Sequence, residues 1–169
     1  AVVCSPPASV PGAIAALGAR GCKAAVVITG GLSAYAMPDG RSAAQSMLDA
    51  ARPHLLRILG PNCLGLIVPG IALNASFAHT TALPGRLAFV SQSGALATTI
   101  LDWGKARGIG FSCFISLGDS ADVDFGDVLD YLLFDPKTES VLLYVEGVHN
   151  GRTFISSLRA IARAKPVIV

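Results

Sequence analysis

Arg86-Leu87-Ala88-Phe89-Val90-Ser91-Gln92-Ser93-Gly94-Ala95-Leu96 decides the fold class of this chain. Its first half has the apolar run of a strand buried on both faces, and it passes through a Ser/Gly turn straight into a helical pattern. A strand entering a helix this way leaves first-turn N–H groups without intrahelical partners, at the positive end of the helix dipole and beside two hydroxyls. The stretch therefore reads as an anion site on an α/β scaffold. A plain helix cap with Ser93 as its capping oxygen uses the same residues, and a lone SxSG does not separate the two readings.

Outward from that point, apolar runs at 1–4, 24–29, 111–117, 140–145 and 166–169 read as further strands. Helical patterns lie between most of them. Residues 10–20 have Pro11 near the start and Gly21 past the end, as helix geometry prefers. In 42–52, Ala44, Met47, Leu48 and Ala51 share a face, and Pro53 stops the helix. Leu96, Ile100 and Trp103 form the expected stripe of a third helix, and Phe125, Val128, Leu129, Leu132 and Leu133 that of a fourth. Asn150 is placed to cap a last helix whose inner face is Phe154, Leu158 and Ile161. Alternation of this kind predicts an α/β fold of parallel sheets with flanking helices. The order breaks at 57–84, and a boundary is expected near residue 80, giving units 1–80 and 81–169. The first unit has too few elements for a complete Rossmann domain.

The 169 residues are 52% apolar, ample for a core, with 14% charged and a net charge of +2. Scattered basic residues point to neither nucleic acid nor an anionic membrane, and no run of about 18 apolar residues marks a span. Cys4, Cys22, Cys63 and Cys113 form no CxxC pair, which disfavours zinc and a disulfide framework and favours buried thiols in a reducing cytoplasm. The apolar runs at both ends, with neither a signal peptide nor a polar tail, read as an excerpt from a longer protein.

Ligands of open parallel sheets gather beyond the carboxyl ends of the strands. Three such ends are polar here: Ser91-Gln92-Ser93-Gly94, Gly118-Asp119-Ser120-Ala121-Asp122 and Glu146-Gly147-Val148-His149-Asn150. At the first, Gly94 lets the backbone approach a phosphate or carboxylate, with Ser91 and Ser93 as donors. At the third, Glu146 follows an apolar run where burial begins, so it is a candidate for a raised pKa, for orienting a histidine, or for a simple cap. His149 reads as a solvated loop residue, and His54 and His79 offer no base-orienter pair either. Asp119, Asp122, Asp124 and Asp127 lack EF-hand spacing and read as a helix start with favourable charge, so no metal site is expected. Gly60-Pro61-Asn62-Cys63-Leu64-Gly65 combines a fixed φ, an amide, a small thiol and two glycines. Cys63 has no neighbouring His or Lys to activate it as a nucleophile.

Gly60-Pro61-Asn62-Cys63-Leu64-Gly65, then Pro84-Gly85 and Val90-Ser91-Gln92-Ser93-Gly94-Ala95-Leu96, resembles the α-subunit region of the NDP-forming acyl-CoA synthetases, which include succinyl-CoA synthetase. Ser116-Leu117-Gly118, Ala121-Asp122-Val123-Asp124-Phe125 and Leu143-Tyr144-Val145-Glu146-Gly147 continue the likeness over nearly the whole chain. The resemblance implies a partial Rossmann-like CoA-binding unit followed by a flavodoxin-like domain. It implies a fragment of an ADP-forming, acetyl-CoA-type synthetase, acting on CoA or acyl-CoA and phosphate through an acyl phosphate and a phosphohistidine. ATP/ADP with Mg would be handled by a separate ATP-grasp domain or subunit, in a parent that is an oligomer. By the same resemblance Ser93, Gly94 and Ala95 would hold the phosphate, Glu146 would hydrogen-bond the active histidine, and Pro61, Asn62 and Cys63 would lie near the thioester of CoA. A glycine-rich CoA loop is expected before Ala1 and the histidine loop after Val169. None of the three histidines here is in register with that histidine, so the chain alone is expected to be inactive. Leu101-Asp102-Trp103 and Ala121-Asp122-Val123-Asp124-Phe125-Gly126-Asp127 also resemble the ligase-like region of bacterial GNAT protein lysine acetyltransferases, which implies the alternative of a regulatory acyl-CoA-sensing module.

Overall fold

In the computed structural model, which describes residues 1–169, two sheets share the chain. The first is parallel, in the order β1-β2-β3, with β1 (Val2–Val3), β2 (Ala24–Val27) and β3 (Arg57–Leu59) joined by α1 (Val10–Ala19) and α2 (Ala43–Ala51). Pro11 sits in the first turn of α1, where its missing N–H has no helical partner to lose, and Gly21 follows the end at φ 82°. Ser42 caps α2 by accepting from the N–H of Gln45. Strand alternation sends Val3, Val27 and Ile58 toward α1 and α2, where they pack with Val10, Ile14 and Met47. Val26 and Leu59 point the other way, into the second unit.

That second unit is a six-stranded sheet in the order β5-β4-β7-β6-β8-β9. Its strands are β4 (Gly65–Val68), β5 (Leu73–Ser76), β6 (Leu83–Ser91), β7 (Gly110–Ser116), β8 (Ser140–Tyr144) and β9 (Val167–Ile168). Its helices are α3 (Gly94–Ala106), α4 (Phe125–Phe134) and α5 (Gly151–Ala162). Central β6 runs parallel to both β7 and β8. Its alternate residues serve the two faces. Phe89 packs with Ala97 and Leu101 of α3 and with Phe111 and Phe114, while Ala88 and Val90 pack with Leu129 and Leu132 of α4 and Phe154 and Ile161 of α5. Val26, Leu59 and Cys63 join this last cluster, so a single apolar core runs from the first sheet into the second.

The α/β expectation holds, with three corrections. The sheet is not wholly parallel, because β4 pairs antiparallel with both β5 and β7. Only a short turn, Pro69–Ile71, joins β4 to β5, and a turn that short can connect antiparallel strands alone. The hairpin belongs to the second sheet, so the change of sheet falls between β3 and β4. In α3 the buried face is Ala97, Leu101 and Gly104, one residue on from the expected stripe, and Trp103 is exposed with its ring under the Arg107 guanidinium at 4.6 Å. The four thiols are free, but Cys4 is exposed and Cys22 half-buried, leaving only Cys63 and Cys113 in the core.

Candidate functional site

The chain leaves β6 through α3 to reach β7 on one side, then crosses through α4 to β8 on the other. This reversal opens a crevice at the carboxyl end of β6, and α3 starts in it. Ser93, the N-cap of α3, accepts from the N–H of Leu96 at 3.2 Å, and its carbonyl accepts from the N–H of Ala97. The N–H groups of Gly94 and Ala95 have no partner within the protein. They are the donors that the strand-turn-helix reading anticipated.

Ser91 and the N–H of Ser93 drop out of that set. Ser91 is fully buried; its hydroxyl donates to the carbonyl of Ser93 at 3.0 Å and accepts from the N–H of Ser93 at 3.1 Å. Both groups hold the turn itself. Gly94 does not need its freedom of φ: a Cβ built on it would meet only Leu64, at 4.0 Å. The fold tolerates a side chain there, so what glycine provides is room on the cleft side.

The cleft in front of these amides has a volume of about 550 Å³. Asn62, Cys63, Ser93, Gly94, Ala95 and Glu146 all line it, so residues from three distant stretches meet at one place. Pro61 does not. Its carbonyl accepts from the N–H of Asp119 at 2.9 Å, and that of Gly60 from the N–H of Ala121 at 3.0 Å, which stitches the 60–63 turn to the loop after β7. Asn62, at φ 58°, donates from its Nδ2 to Asp119 at 3.0 Å and so braces the same junction. Cys63 is buried with its Sγ–H directed at the carbonyl of Val27, 3.4 Å away. Burial pushes its pKa up to about 11, so it is a neutral wall thiol at physiological pH, as the lack of an activating neighbour suggests.

Glu146 differs from the expectation in its surroundings. It is exposed at the rim rather than set where burial begins, because the buried part of β8 stops short of it. Nor does it cap α5, whose cap is Asn150, accepting from the N–H of Thr153. The acidic group after β7 is structural. Asp122 accepts from Arg57 and from the N–H of Ile58 at 2.7 Å, and Asp124 and Asp127 form a capping box at the start of α4.

Ile28, Leu64, Phe77, Gln92 and Thr98 complete the lining, and sequence reasoning assigned none of them a role. Ile28, Leu64 and Phe77 are apolar residues beside strand ends and Thr98 lies one turn into α3, so only the packing of the two sheets shows that they face the cleft. Gln92 sits in the Ser91–Gly94 turn, but its contacts lie on a distant loop. Two histidine contacts also went unforeseen. His149 Nε2 lies 3.2 Å from the carbonyl of Asp119, and His79 pairs with Asp102 at 2.8 Å on the surface.

Comparison with known proteins agrees with this layout. Residues 84–169 match the family described as succinyl-CoA ligase like flavodoxin domain, and residues 1–69 match a CoA binding domain. The ADP-forming acetate–CoA ligase I of Archaeoglobus fulgidus is 39% identical over 100% of this chain and 24% of its own length. Subunit alpha of the ADP-forming acetate–CoA ligase I of Pyrococcus furiosus is 37% identical over 100% of this chain and 36% of its own. Among solved structures, the dinucleotide forming acetyl-coenzyme A synthetase 1 of Ca. Korarchaeum cryptofilum, in complex with phosphate and ADP, superposes with a TM-score of 0.91 at 35% identity, covering 99% of this chain and 36% of that one. The chain thus spans about a quarter to a third of the length of these relatives.

Proposed function

Because the chain belongs to the family of the succinyl-CoA ligase like flavodoxin domain, we propose that it is the CoA- and phosphate-handling portion of an ADP-forming acyl-CoA synthetase. The observation that carries this reading is the pair of unpartnered N–H groups of Gly94 and Ala95, at a glycine whose missing side chain the fold itself does not require. Two convergent amides at a helix start suit a phosphoryl group, whose charge they and the dipole stabilise. Asn62 and Cys63 at the opposite wall flank the thioester carbon, with the neutral thiol leaving the attack to phosphate. Phosphate adds to that carbon and CoA leaves as its thiol, giving an acyl phosphate whose phosphoryl oxygens rest on Gly94 and Ala95.

A histidine from the remainder of the parent protein then takes the phosphoryl group and releases the free acid. Exposed Glu146 is placed at the rim to accept that histidine's second N–H and fix its tautomer. Transfer to ADP with Mg takes place in a separate ATP-grasp domain or subunit, and the whole works in the cytoplasm. Titration of the ¹⁵N-labelled chain with inorganic phosphate tests the reading. The amides of Gly94 and Ala95 are expected to shift in a saturable way, with sulfate competing for the same site. No shift at these amides up to high millimolar phosphate overturns it, and acyl-CoA binding without phosphate binding points instead to the regulatory, acyl-CoA-sensing module.

A further inference from the structure

The residue between the two serines of the turn has its own contacts. Gln92 donates its backbone N–H to the carbonyl of Tyr144 at 3.2 Å, extending the β6–β8 ladder by one bond. Its side chain then reaches across the rim, where Oε1 accepts from the N–H of Glu146 at 2.7 Å and from that of Gly147 at 3.0 Å. Two backbone donors converging on one atom require that atom to be the oxygen, so the orientation of the carboxamide is decided by its partners. The Nε2 donors therefore sit on the other limb. They have no partner in the protein, and Gln92 lines the cleft beside Ser93 and Gly94.

We infer that Gln92 is a positioning residue, clamping the Glu146 loop through Oε1 while its Nε2 donates to the anion held at the start of α3. The clamp is needed because Glu146 and Gly147 are both exposed and lie in no regular element, and the other tie on this loop, His149 at the carbonyl of Asp119, lies beyond them. The carboxylate that must meet a histidine is thus held chiefly through Gln92. A Cβ on Gly147 would meet nothing within 4 Å, which shows how little else touches this loop. A neutral amide also suits a place between an anion and a carboxylate. It donates toward the first and accepts behind the second without adding charge of either sign. The donor half of the inference rests on the phosphate reading above, and the clamp half does not.

Two variants of nearly equal length separate the halves. In Gln92→Met the acceptor is gone, and amide exchange of Glu146 and Gly147 is expected to quicken at least tenfold while the remaining amide spectrum stays unchanged. In Gln92→Glu the carboxylate accepts the same two bonds, so protection persists. There the donor is replaced by a negative charge, and phosphate affinity at Gly94 and Ala95 is expected to fall at least tenfold. Unchanged exchange at Glu146 and Gly147 in Gln92→Met overturns the clamp, and undiminished phosphate affinity in Gln92→Glu overturns the donor. Quickened exchange in Gln92→Met, together with no phosphate binding by the unsubstituted chain, upholds the clamp and overturns the phosphate reading together with the donor half that rests on it.

Discussion

At Gly94 the physical argument separates binding from folding. An added methyl group meets nothing closer than Leu64 at 4.0 Å, and alanine is the better helix former. Gly94→Ala is therefore expected to leave stability within about 0.5 kcal/mol of the parent or raise it. Gly94→Val, with two branches over the amides, is expected to weaken phosphate binding at least tenfold with its melting temperature nearly unchanged. Equal phosphate affinity by NMR titration in the valine variant counts against the site. The thiols make a second residue-level case. Burial raises Cys63 to about 11 and Cys113 to about 12, whereas both titrate near 9 once unfolded. Between pH 9 and 11 the unfolded chain thus binds fewer protons than the folded one, so stability falls as pH rises, by up to about 1.4 kcal/mol per pH unit for each thiol. Urea denaturation at pH 8, 9 and 10 measures this, and Cys63→Ala with Cys113→Ala is expected to flatten the slope. At this scale the sequence was only half legible. The helix start at Ser93 and Gly94 could be read from a local pattern, because a helix start is a local event, whereas Ala95 entered through the family resemblance. Ser91 and Gln92 could not, since their partners depend on how the turn closes and on a loop that lies more than fifty residues away.

Elements were easier to read than their contacts. Periodicity exposed α2 to α5 because each buries a stripe, Pro11 and Gly21 bounded α1, and Asp124 and Asn150 stood at the starts of α4 and α5. The α3 stripe slipped by one residue for a definite reason. Gly104 is on its inner face, where an added Cβ would come within 3.0 Å of the Phe111 ring, and a glycine that packs against an aromatic leaves no mark in an apolar pattern. The β4–β5 hairpin was hidden in a similar way, by short strands and Gly/Pro punctuation that resemble a linker. What joins the elements at the cleft is the seam between the 60–63 turn and the loop after β7. Gly118 lies on it at φ 57°, and a Cβ there would overlap the carbonyl oxygens of Pro61 and Asn62. Gly118→Ala is expected to cost about 3 kcal/mol or more, from the left-handed backbone and the overlap together. The control is Gly147→Ala, with open space around the added atom, expected to change stability by less than about 0.5 kcal/mol. Chemical denaturation of the two variants side by side reads the difference, and equal stabilities reject the seam as the junction that holds Asn62 and Cys63 against the cleft.

For the molecule as a whole, Val26 and Leu59 of the first sheet and Cys63 of the turn after it share one core with Val90 of the second sheet and with Leu129 and Phe154 of the helices that cover it. The Cys63 wall of the cleft belongs to this core, whereas α3 packs through Ala97 and Leu101 into a second cluster with Leu64, Phe89 and Phe114. The cleft lies where the two clusters adjoin, and the proposed function uses that junction to orient a thioester against the α3 amides. Orientation of that kind is worth on the order of 7 to 11 kcal/mol of barrier lowering when every reacting group is in place. Here the phosphoryl acceptor is not in place. None of the three histidines lines the cleft: His79 is paired with Asp102 on the surface, His149 rests on the carbonyl of Asp119, and His54 packs against Gly18 on the far side of the first sheet. Since the proposed function assigns the phosphate carrier and the nucleotide site to other parts of a parent protein, the 169-residue chain is expected to bind phosphate and, weakly, CoA, yet to form no ATP from acyl-CoA, ADP and phosphate. A luciferase-coupled assay on the purified chain is the measurement. ATP formation that depends on acyl-CoA and disappears in His149→Ala would mean that the histidine at the rim carries the phosphoryl group after all, and that Glu146 orients a residue only three positions along its own loop.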